Sequence, residues 1–62
     1  MAIDQETLNR VETEIERLAL AIADLRWVEL EAPSYSHPRQ TGAIRRASMD
    51  LTRALADLRR AP

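Results

Sequence analysis

Six arginines crowd the second half of this 62-residue chain: Arg39, Arg45, Arg46, Arg53, Arg59 and Arg60. Four of them, Arg39, Arg46, Arg53 and Arg60, recur at intervals of seven and so fall on one stripe of a helix, with Arg45 and Arg59 adjoining. Guanidinium groups in such a row can follow a phosphate backbone or meet carboxylates. A helical hairpin turning near residue 35 would set Arg59 near Glu12, Arg53 near Glu16 and Arg46 near Asp24, so ordinary interhelical pairs are expected to absorb much of this charge. The net charge is −1 and no aromatic residue interleaves with the arginines, which argues against stacking on single-stranded bases. An acidic protein partner or solvent is therefore the expectation for the stripe, and a nucleic acid the second reading.

The remaining reactive side chains form no catalytic or metal set. Glu12, Glu14 and Glu16 cluster in sequence, but di-metal sites in helical bundles need Glu-x-x-His pairs on facing helices, and the single histidine, His37, lies in a turn. Catalytic carboxylates need a cleft that perturbs them, which two helices scarcely offer. The absence of cysteine excludes disulfides and thiolate-bound zinc. Arg45-Arg46-Ala47-Ser48 has the form of a basophilic kinase target, yet Ser48 falls beside the helix seam, where a hydroxyl ordinarily bonds its own backbone. No enzyme activity, cofactor, metal or small-molecule substrate is expected.

No apolar run approaches the roughly 18 residues that span a bilayer, and the acidic start Met-Ala-Ile-Asp-Gln-Glu-Thr lacks the pattern of a secretory signal, so a cytoplasmic protein is expected. Charge is divided unevenly. Residues 1–32 carry eight acids against Arg10, Arg17 and Arg26, a net of −5, while residues 33–62 carry Asp50 and Asp57 against six arginines, a net of +4. Two halves of opposite sign suit each other, and equally suit a second copy of the chain.

The elements that must position these groups are two helices. Asp4 is placed to cap the first, Ile3 and Leu8 to staple its entry, and Glu6 to complement its dipole. Nothing interrupts that helix before Pro33, so it should run from about residue 5 to 31. Leu8, Val11, Ile15, Leu18, Ile22 and Leu25 alternate in steps of three and four, the pattern of a coiled-coil seam. Ala32-Pro33-Ser34-Tyr35-Ser36-His37 is the turn, with Ser36 or His37 capping a second helix over about 38–60. On that helix Ile44, Leu51 and Leu58 form one line, Ala47, Ala54 and Ala61 the next, and Ser48 and Leu55 widen it. A short connection implies antiparallel neighbours, giving an all-α, antiparallel two-helix hairpin over residues 1–62 as a single unit.

Helix 1 is apolar on a second side from Leu20 onward. Leu20, Ala23, Trp27 and Leu30 lie away from the seam, with Tyr35 at the turn, and one partner helix cannot cover both sides. Exposed apolar patches mark interfaces, and tryptophan is enriched at their energetic centres. A domain this small needs disulfides, a metal or association for stability, and only association is left. The expected function is a helical-hairpin interaction protein, either a homo-oligomeric bundle or an accessory subunit of a larger assembly. In length and topology the chain resembles short helical hairpins that dimerise into four-helix bundles, among them plasmid RNA-binding regulators.

Overall fold

The computed structural model describes residues 3–60. Helix α1 runs Gln5–Glu31 and helix α2 runs Pro38–Arg60, packed side by side as an antiparallel hairpin. Asp4 caps α1 from extended backbone, its Oδ1 accepting the Glu6 N–H at 3.1 Å. At the far end the Ala32 N–H donates to the Val28 carbonyl at 2.9 Å, the last turn before Pro33. The loop closes on itself. Tyr35 N–H donates to the Ala32 carbonyl at 3.2 Å, and His37 Nε2 lies 3.1 Å from the same oxygen. A carbonyl can only accept, so in this contact Nε2 is the donor. His37 occupies the position before Pro38 and its carbonyl accepts the Thr41 N–H and hydroxyl, each at 3.0 Å. The ring itself ties the loop back to α1 instead of capping α2.

The contact between the helices is made of small groups. Val11 (7% exposed), Ala47 (5%) and Ala54 (1%) are the buried residues. Ala61, the third alanine of that line in the sequence, lies outside the described residues. Leu18, Leu25, Ile44, Leu51, Leu55, Leu58 and Leu8 are half-buried around this strip.

Two of the six expected seam residues of α1 are turned away from α2. Ile15 and Ile22 stand 49% and 37% exposed, and the inward positions beside Val11, Leu18 and Leu25 are Glu14, Ala21 and Val28. Both sets are compatible with steps of three and four, because Leu8/Ile15/Ile22 and Glu14/Ala21/Val28 flank the same central line on opposite sides. The ion pairs between the helices fall on one of these sides only: Arg10 and Arg17 sit on the Glu14 side and bridge Asp57 and Asp50 of α2 at 2.7 and 3.6 Å. The small Ala21 also admits α2 there, where two isoleucines would hold it off.

Substitutions in α2 should separate the tight contact from the open surface. A Cβ added at Gly42 meets nothing within 4 Å, so Gly42→Ala should stabilise the protein by about 0.5–1 kcal/mol through helix propensity. Ala54→Leu should destabilise it by about 1–3 kcal/mol, because the helices must separate to admit the side chain. Thermal melts followed by circular dichroism check both signs.

Candidate functional site: two unlike faces of the hairpin

The interhelical bridges divide the surface. On one flank lie Arg10, Glu14, Arg17, Asp50 and Asp57, joined by Arg10–Asp57 at 2.7 Å, Arg17–Glu14 at 3.2 Å and Arg17–Asp50 at 3.6 Å. Further along the same flank, Arg17, Arg39 and Arg46 surround an open groove floored by Ala21, Gly42 and Ala43. The opposite flank is apolar: Leu8, Ile15 and Ile22 from α1 face the same way as Ser48 and Leu55 from α2. Around the back of α1 stand Leu20, Trp27 and Leu30, 70%, 62% and 79% exposed, with exposed Ala23 between them. Tyr35 projects from the turn, also exposed.

The arginine stripe is placed differently from the expectation. Of the six arginines of α2, only Arg60 forms an ion pair among the described residues, with Asp57 of its own helix at 2.9 Å. The anticipated pairs Arg59–Glu12, Arg53–Glu16 and Arg46–Asp24 are not formed; the bridges between helices run the other way, from arginines of α1 to aspartates of α2. The cause is rotation about the helix axes. Asp50 and Asp57 lie at the α1 contact, whereas Arg39, Arg46, Arg53 and Arg60 sit one step further outward. Arg45 and Arg59 are displaced from that stripe by about 100° around the helix and border the apolar flank instead.

The helical hydroxyls that bond back to the preceding turn are Thr41 and Thr52, Thr52 Oγ1 donating to the Ser48 carbonyl at 2.9 Å, while Ser48 is exposed. Among the described residues no group of three or more His, Cys, Asp or Glu side chains could hold a metal ion. No helix among them is long and apolar enough to cross a membrane. Comparisons with protein-family models, with characterised proteins and with solved structures find no match to this chain.

The bridges set register more than stability, since both partners are substantially exposed at Arg10–Asp57. Asp57→Asn should therefore cost no more than about 1 kcal/mol in a denaturant melt at low salt, and less in about 1 M salt, where the Debye length shrinks to about 3 Å.

Proposed function

We propose that the protein is a non-enzymatic helical-hairpin interaction protein of the cytoplasm, whose two-helix unit is completed into a bundle by a protein partner. The observation that carries this reading is the imbalance of burial: among the described residues three side chains are buried, two of them alanines, while Ile15, Ile22, Leu20, Trp27 and Leu30 are exposed. The dimensions point the same way. The hairpin measures 51 × 14 × 11 Å and exposes 5098 Å², against about 4,100 Å² for a compact monomer of 7.1 kDa. The excess of about 1,000 Å² is comparable with the roughly 800 Å² per partner that a standard interface covers.

Two surfaces take different roles in this reading. The Leu8–Ile15–Ile22 flank is presented by both helices together and suits completion of a bundle. The Leu20, Ala23, Trp27, Leu30 and Tyr35 patch remains on the outside of α1, as an accessory subunit needs for docking into a larger assembly. The second reading, a dimeric RNA- or DNA-binding regulator, is favoured by one observation, that Arg39, Arg45, Arg46, Arg53 and Arg59 form no ion pair within the described residues.

Thermal melts across a hundredfold range of protein concentration test the interaction reading. Folding coupled to association raises the midpoint with concentration, and Ile15→Gln with Ile22→Gln should destabilise the protein by far more than the roughly 0.5 kcal/mol typical of solvated positions. A concentration-independent midpoint that the double variant leaves unchanged would contradict it. For the second reading, submicromolar binding of RNA or DNA in about 150 mM salt is the required result. Changing two stripe arginines to glutamine should then flatten the salt dependence by roughly 0.7–0.9 log units for each phosphate no longer neutralised.

A further inference from the structure

We infer that the occupant of the Leu8–Ile15–Ile22 flank is a second copy of this chain, arranged so that α1 of each copy lies against α2 of the other. The inference rests on the interaction reading above and adds the partner and its orientation. Charge decides the arrangement. Within Gln5–Glu31 seven acids face three arginines, a net of −4, and within Pro38–Arg60 six arginines face two aspartates, a net of +4. Laying α1 on α1 would bring two acidic helices together and two basic helices together. Laying α1 on α2 of the second copy gives every helix two neighbours of opposite charge and opposite direction, with a two-fold axis parallel to the helices.

The edges of the apolar flank agree with this. On α1, Glu12 lies one helical step outside Leu8, with Glu16 a turn further along. On α2, Arg59 lies one step outside Leu55, and Arg45 and Thr52 continue that edge. These are carboxylates and guanidiniums that the single hairpin leaves apart. The α1-on-α2 arrangement sets them along one rim, with Glu12 about one turn from Arg59 of the second copy and within reach of that side chain.

The same geometry fixes the register. Arg10 is bridged to Asp57 and Arg17 to Asp50, so seven residues forward along α1 match seven back along α2, which sets Ala19 within about a turn of the level of Ser48. A two-fold axis along the helices keeps those levels and sets Ala19 of one copy near the level of Ser48 of the other. Both residues are exposed on the single hairpin and sit on the apolar flank. The Arg39, Arg46 and Arg53 stripe stays on the outside.

The chain has no cysteine, so single substitutions report cleanly. Ala19→Cys and Ser48→Cys chains, purified separately, mixed and oxidised, should give a disulfide-linked heterodimer, while either chain alone should give little link. Light scattering on the unsubstituted chain should give a dimer. Glu12→Arg should weaken the dimer roughly two- to fivefold per symmetric pair, and adding Arg59→Glu should restore it. Self-linking of the Ala19→Cys chain, or a dimer that forms no heterodimeric link, overturns the α1-on-α2 pairing and leaves the interaction reading standing. A partly helical monomer overturns self-association and assigns the flank to a different protein. A cooperatively melting monomer overturns this inference and the interaction reading together.

Discussion

The hairpin is held along a narrow contact strip in which Val11 of α1 and Ala47 and Ala54 of α2 are the buried side chains among the described residues, with half-buried leucines around them. A close approach of this kind fixes the distance and register of two helices, but small side chains remove little apolar surface from water, at about 0.8 kcal/mol per buried CH₂. Several of the larger apolar side chains that could contribute more are directed elsewhere. Ile15, Ile22, Leu20, Trp27 and Leu30 are all on α1, and all are exposed. Helices in proteins draw most of their stability from packing rather than propensity, and a long helix with these five side chains exposed leaves much of that packing unused.

The charged side chains are arranged by the same contact. Because α2 lies over the Glu14–Ala21 flank, its aspartates meet Arg10 and Arg17, and its arginines are turned outward. The result is a hairpin with one ionic flank, one apolar flank and an outer row of Arg39, Arg46 and Arg53, which form no ion pair among the described residues. Exposed charges of this kind contribute little to stability but strongly influence which surfaces approach one another and in what orientation. Association through the apolar flank would bring the unmatched acids of α1 and arginines of α2 to a common edge, so packing and charge favour the same assembly.

Much of the fold was legible in the sequence because its signals are local. Asp4 as cap, Pro33 as terminator and the 32–37 turn each act within a few residues, and α1 begins and ends, and α2 begins, where those residues require. The facing of α1 was not legible. Val11, Leu18 and Leu25 sit at the centre of two equally periodic stripes, and hydrophobicity alone favours the one with Ile15 and Ile22 over the one with Glu14. The observed facing goes with Arg10 and Arg17 meeting Asp57 and Asp50 across the hairpin, a pairing between residues far apart in the chain. The expected arginine pairs do not form because the observed rotation of α2 turns its aspartates, and not those arginines, toward α1. The exposed patch at Leu20, Trp27 and Leu30 was readable, because a second apolar side on one helix of a hairpin has nowhere else to go.

If the hairpin is folded by being covered, amide hydrogen exchange followed on dilution reveals it most directly. Protection of the α1 amides around Ile15 and Ile22 should fall as the protein is diluted through its dissociation range, with the amides near the short cap at Asp4 already exchanging fast at every concentration. Protection in α1 that is strong and independent of concentration would mean that the two helices suffice on their own, and would contradict a fold that depends on its partner.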